Sequence, residues 1–268
     1  MEQLYVLGTG NASVTRCYNT CFAIRKEEEY LLTDAGGGNG ILRILEDMDV
    51  PLTRIRHMIL THEHTDHLLG AIWIIRVIAA RMMQGTYTPP FRIYCHTELC
   101  ETIRTLCRLT LFHRFYDQID ETIELIAVED GETKEILGYE VTFFDIHSDK
   151  TKQLGFTLRL GNGEKLAFCG DEPFHPLCRS YVEGSDWLLH EAFCLYGDRE
   201  IFRPYEKFHS TVKDACELAE SLGVPHLILW HTEDRDLAHR KEKYLAEGRA
   251  YYGGDLQVPD DGEIIRLA

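Results

Sequence analysis

The segment Thr61-His62-Glu63-His64-Thr65-Asp66-His67 sets three imidazoles and the carboxylate of Asp66 within six residues, directly after the apolar run His57-Met58-Ile59-Leu60. Packing gives no reason for that density of metal-binding groups. Imidazole and carboxylate together suit zinc, iron or manganese. The H-x-H-x-D-H spacing can serve two metals, because His62 and His64 point one way and Asp66 with His67 another. Further ligand-type residues stand just past apolar runs: His147 after 141–146, Asp171 after 166–170, His190 and Glu191 after 187–189, and His231 after 227–230. Each run reads as a strand that delivers such a residue to one edge of a sheet. Two coordination sets follow. His62, His64 and His147 would hold one divalent ion; Asp66, His67 and His231 would hold a second; Asp171 would bridge them. Each ion keeps an open position, the mark of a catalytic rather than a structural site.

The elements that must position these groups are short and regular. Strand-like runs come first (4–7, 20–24 and 30–33), two of them ending in the turn-forming stretches 8–11 and 34–38. Apolar residues Ile41, Leu42, Leu45 and Met48 repeat at helical spacing. The run 55–60 is a buried strand feeding the histidine loop. Residues 68–83 form an apolar helix, serving as core or as a dimer surface, and another helix spans 97–111. Strands follow at 123–128, 140–146, 156–160 and 165–169, the last two joined by the hairpin signal Gly161-Asn162-Gly163. Helix 212–222, strand 227–230, helix 236–247 and strand 264–267 complete the series. Strands then helices, twice over, imply two face-to-face sheets with helices outside. One continuous domain over 1–268, with halves near 1–120 and 121–268, describes this best.

Composition narrows the function. Of 268 residues, 44% are hydrophobic, enough for a sizeable core. No apolar run reaches the ~18 residues of a membrane span, and the N-terminus enters a strand without a leader-like segment, so a cytoplasmic protein is expected. The nine cysteines are odd in number and several lie in apolar runs, which reads as buried free thiols. A net charge of −16 is unlike a protein that grips long nucleic acid by its phosphates. The segment 72–116 runs against that trend: Arg76, Arg81, Arg92, Arg104, Arg108 and Arg114 face only Glu98 and Glu101. Charges act locally beyond a screening length of ~8 Å, so this segment is either a set of solvated helix faces or a polyanion patch.

Nearly the whole chain resembles the metallo-β-lactamase superfamily, and within it the ribonuclease Z-like branch. The resemblance rests on Leu7-Gly8-Thr9-Gly10, on Asp34-Ala35-Gly36 with a structural aspartate, on Thr61 to Gly70, and on Phe168 to Asp171. More selective are Leu189-His190-Glu191-Ala192-Phe193, which is similar to the branch's H-E-A-T segment but departs from it at Phe193-Cys194, and His209-Ser210-Thr211, which matches its H-S-T segment. The β-lactamases themselves lack the Glu/His pair. The resemblance implies a four-layer αββα sandwich of the α/β class, a dinuclear site (usually zinc) and phosphodiester hydrolysis. His209 is the candidate general acid, with Glu191 holding its tautomer, and Asp66 would help orient the nucleophile. Ser210, Thr211 and the helix start after them are candidate binders of phosphate oxygens.

The expected activity is cleavage of a small or cyclic phosphodiester by a metal-activated hydroxide. Ribonuclease Z-type cleavage of tRNA precursors is the first alternative. It is disfavoured by the charge and by the 23 residues between His147 and Asp171, too few for the branch's tRNA-binding arm. Hydrolysis of another ester, a lactone or a sulfate, is the second. Zinc is the first candidate metal, with manganese and iron fitting the same ligands. The expected partner is a small anionic ester, with no membrane, and a homodimer compatible with the apolar helix.

Overall fold

The computed structural model describes residues 2–267. Strands β1 (Glu2–Gly8), β2 (Cys21–Lys26), β3 (Glu29–Thr33), β4 (Ile55–Ile59), β5 (Phe91–Cys95) and β6 (Ile123–Ala127) build the first sheet. Strands β7 (Thr133–Ile136), β8 (Tyr139–Asp145), β9 (Leu154–Arg159), β10 (Lys165–Phe168), β11 (Trp187–Glu191), β12 (His226–Trp230) and β13 (Asp255–Gln257) build the second. The last strand, β14 (Ile264–Arg266), returns to the first sheet, giving the orders β14-β1-β2-β3-β4-β5-β6 and β13-β12-β11-β10-β9-β8-β7. Each sheet joins an antiparallel part to a parallel part: β3 to β6 run parallel, as do β10 to β13. Helices α1 (Gly40–Asp47), α2 (Thr65–Met83) and α3 (Thr97–Thr110) are followed by the single turns α4 (His113–Tyr116), α5 (Arg179–Val182) and α6 (Arg199–Phe202). Helices α7 (Val212–Leu222) and α8 (Leu237–Gly248) complete the set.

Strand alternation explains the layering. On β1, Leu4 and Val6 enter the core between the sheets, while Tyr5 and Leu7 enter the core beneath the outer helices. On β4, Ile59 faces the partner sheet and Met58 faces α2. Strands covered on both faces carry no polar side, which is why they read as continuous apolar runs. The inter-sheet core is aromatic, with Phe22 stacked on Trp230 at 5.2 Å and edge-on to Phe168. Two outer cores, one under α1–α3 and one under α7 and α8, complete the αββα sandwich. All nine cysteines are free, and eight are buried. Among the described residues no helix is long and apolar enough to cross a membrane.

Three strands escape sequence patterning for identifiable reasons. The apolar run of β5 is interrupted by Arg92, which pairs across the sheet with Glu124 at 2.8 Å. Strands β7 and β13 are short, polar edge strands, and such edges carry little hydrophobic signal. The basic segment is similarly engaged: besides Arg92, Arg104 binds Asp120 and Glu101, and Arg76 lies over the Phe115 ring. Helix α2 is core over most of its length, with Leu69 and Trp73 exposed.

That helix begins earlier than its apolar run. Its first turn, Thr65-Asp66-His67, is polar and docks on the turn after β3. Ala35 N–H donates to His67 O (3.1 Å), and Gly70 N–H donates to Gly36 O (2.8 Å). The approach is so close that a Cβ on Gly70 would stand 1.8 Å from Ala35 O. Alanine normally stabilises a helix relative to glycine by up to about 1 kcal/mol. Gly70→Ala is expected instead to destabilise by about 1–3 kcal/mol, read as a lower urea midpoint. An unchanged or raised midpoint would contradict this docking.

Candidate metal centre and active site

The loops after β3, β4, β10 and β12 bring the ligand-type residues together. Asp34 organises the histidine loop. Its Oδ1 accepts from Thr61 N–H (2.9 Å), and its Oδ2 accepts from Thr61 Oγ1 (2.9 Å) and His67 Nδ1 (2.8 Å). Because the Thr61 hydroxyl hydrogen is committed to Asp34, its lone pair can accept from His62 Nδ1 at 2.9 Å. Thr20 repeats the device: its hydroxyl donates to Gly10 O and lies 3.2 Å from His231 Nδ1. In all three rings Nδ1 faces a protein oxygen, which assigns a proton there and aims Nε2 at the centre.

Those Nε2 atoms converge on one carboxylate. Asp171 Oδ2 lies 3.4 Å from His67 Nε2, 3.5 Å from His231 Nε2 and 3.8 Å from His62 Nε2. Asp66 Oδ2 is 3.3 Å from His67 Nε2. Two ligand groups result, Asp66-His67-Asp171-His231 and His62-His64-Asp171, each with ligand atoms within 4.8 Å of one another. Asp171 belongs to both. Asp66 Oδ2 and His67 Nε2 are buried without a hydrogen-bond partner, an arrangement that costs about 1–3 kcal/mol per orphaned group. A divalent cation satisfies both kinds of donor, so the residues present fit such an ion.

Protonation favours the same reading. Burial drives His62 well below the usual imidazole range and His231 down to about 3, so both are neutral donors. Burial pushes Asp171 and Asp66 upward, but the surrounding imidazoles outweigh it and hold both carboxyls well below their ordinary range. His67 is the exception: burial acts downward, yet Asp34 and Asp66 raise it well above the ordinary value, so its Nε2 proton must leave as a cation binds. The centre therefore carries two ionised carboxylates in a nearly dry setting, a demand for positive charge.

His147 departs from the expected set. It lies outside both groups, exposed, with its ring 4.9 Å from that of His175. Its N–H donates to Asp145 Oδ1 at 2.7 Å, and the backbone turns through φ +59°. The helix start after His209 departs as well. Ser210 N–H donates to Glu191 Oε1, and Thr211 and Asp214 form a capping box, so the Ser210 amide and the Thr211 amide and hydroxyl are committed within the protein. Three positioning groups gave no sequence signal. The Gln153 amide brackets Asp171, donating to Oδ1 (2.5 Å) and accepting from Asp171 N–H (2.9 Å). Thr20 orients His231. Buried His96 lies 3.3 Å from the carboxylate of Glu63, inside the histidine loop.

Glu191 and His209 lie beside this centre. His209 is buried, its Nδ1 is 3.6 Å from Glu191 Oε2, and its ring centroid is 5.2 Å from that of His231. One cavity of about 420 Å³ exposes His64, Asp66, Asp171, His209 and His231 together, with Lys150 on its wall. A larger cleft of about 740 Å³ beside Arg16 and Arg43 contains none of them. His190, by contrast, is buried within β11 and donates inward to Glu191 O.

An αββα sandwich with histidine and carboxylate ligands at the ends of its strands defines a metal-dependent hydrolase of the metallo-β-lactamase superfamily. Within it, the chain belongs to the family described as "Anti-Pycsar protein Apyc1", whose model matches residues 2–247. It is 22% identical to ribonuclease Z of Bacteroides fragilis, over 87% of this chain and 89% of that protein. Among solved structures it is similar to the metallo-β-lactamase fold protein YhfI from Bacillus subtilis (TM-score 0.78, 17% identity, 98% of each chain). It is also similar to a diphosphatase from the PhnP family (TM-score 0.76, 16% identity, 100% of this chain and 98% of that one).

Two outcomes are expected from elemental analysis of purified protein. Asp171→Ala should lose both metal ions, because that carboxylate belongs to both ligand groups; retention of two ions per chain would refute the assignment. Thr20→Val, which removes the acceptor for His231 Nδ1 together with the hydroxyl's own bond to Gly10 O, should weaken metal affinity by about 10–100-fold; unchanged affinity would remove Thr20 from the site.

Proposed function

We propose that this chain is a phosphodiesterase that hydrolyses a small or cyclic phosphodiester at a dinuclear centre, with zinc as the metal and His209 as general acid. The observation that carries the reading is the single cavity in which His209, backed by Glu191, faces the carboxylates and imidazoles of both ligand groups. Two divalent cations there would supply Lewis acidity, acidifying water and offsetting phosphate charge. The remaining work falls to the chain's own residues. Lys150, whose Nζ is 3.4 Å from Glu172, puts a cation on the cavity wall where an anionic substrate enters. Asp66 reaches the same cavity and is placed to orient the attacking water. His209 lies on the cavity wall, where a departing alkoxide needs a proton.

Size and charge support a small substrate over a tRNA. The loop between His147 and Asp171 is occupied by the β9–β10 hairpin, and three of the six arginines in 72–116 are engaged within the protein. The net charge of −16 opposes long polyanions. The ribonuclease Z relatives favour the alternative substrate, so the test includes it.

Bis-(p-nitrophenyl) phosphate should be turned over, the turnover should vanish with chelator, and a panel of cyclic and linear phosphodiesters should contain a better substrate. His209→Ala should lower kcat for diesters of ordinary alcohols by about 10²–10⁴-fold. Efficient, steeply salt-dependent cleavage of a precursor tRNA with no small-diester turnover would favour the ribonuclease reading. Turnover of lactones or sulfate esters alone would replace both.

A further inference from the structure

We infer that Phe193 is a positioning residue for His209, holding the general-acid imidazole by parallel stacking; the inference rests on the phosphodiesterase reading above. The polar support of His209 is incomplete. Glu191 Oε2 and His209 Nδ1 face each other at 3.6 Å, beyond hydrogen-bond range, and both atoms are buried without a partner. Glu191 spends its other oxygen on Ser210 N–H. A carboxylate at that distance attracts the ring but does not set its plane.

Phe193 does. Its ring lies 4.9 Å from that of His209 with only 5° between the planes. The backbone fixes this register. Phe193 N–H donates to Ser210 O (2.9 Å), while Phe193 O accepts from Glu233 N–H (2.8 Å) and from the buried Tyr244 hydroxyl (3.1 Å). The benzyl group is held in turn by Phe202, edge-on at 6.2 Å, and by Lys207, whose Nζ is 5.1 Å over the ring. Phe193 thus stands where the similar H-E-A-T segment carries threonine, and it contributes a plane rather than a hydrogen bond.

The step it serves is specific. Water oxygen forms a new bond to phosphorus as the ester P–O bond breaks; the departing alkoxide takes the proton of His209, which is replaced from the attacking water. A misoriented imidazole harms this step only when the leaving oxygen needs that proton. A weakly basic p-nitrophenolate departs without it.

The test compares kcat for bis-(p-nitrophenyl) phosphate with kcat for a cyclic diester whose leaving group is a sugar alkoxide, in the metal-loaded full chain. In Phe193→Leu the ratio of alkoxide to p-nitrophenolate turnover should fall at least about tenfold, within the range general-acid catalysis supplies. In Phe193→Tyr, which keeps the stacking face, the ratio should stay near the wild-type value. Both rates come from one preparation, so partial misfolding cancels from the ratio. Equal losses on both substrates in Phe193→Leu, or an equal fall of the ratio in Phe193→Tyr, would overturn the positioning role alone. Wild-type protein inert toward every diester would overturn the phosphodiesterase reading and this one with it.

Discussion

Two ionised carboxylates, Asp66 and Asp171, stand buried among imidazoles at distances of 3.3–3.8 Å. Both are almost fully buried, so each uncompensated charge is expensive, and positive charge brought into the centre stabilises the arrangement. The rest of the molecule is arranged around that demand. Asp34 and Thr61 lock the histidine loop, Thr20 turns His231, and Gln153 clasps Asp171 from the second sheet. These partners leave the ligand atoms free and fix everything else, so a cation meets a preformed site rather than having to assemble one.

Holding the site strains the backbone. Asp34 and His231 both adopt φ +54°, each directly after a strand. Non-glycine residues in that region cost on the order of 1–3 kcal/mol each. The two sandwiched sheets absorb this: three layers of apolar contact anchor the strands, and the loops turn sharply at their ends. Docking Gly70 against Ala35 brings the first turn of α2 to the same place, which is why a helix begins inside the metal motif rather than after it.

Much of this was readable from the chain. The histidine loop is legible because its ligands are neighbours along the backbone. Asp171 and His231 are legible because apolar runs end just before them, and such runs are strands. Glu191 and His209 stood out through short motifs. What escaped depends on geometry that no local pattern encodes. Gln153 and Thr20 are single polar residues whose partners are distant in sequence. His147 follows an apolar run just as Asp171 and His231 do, yet it stands exposed. Phe193 was visible as a departure from a motif, but its parallel stack on His209 appears only when the segments after β11 and before α7 lie side by side.

Crystals grown with zinc and measured across the zinc absorption edge test the central claim most directly. The account predicts two anomalous peaks about 3.5–4 Å apart, both touching Asp171, one beside Asp66, His67 and His231 and the other beside His62 and His64. A single peak, or zinc bound away from Asp171, would contradict it.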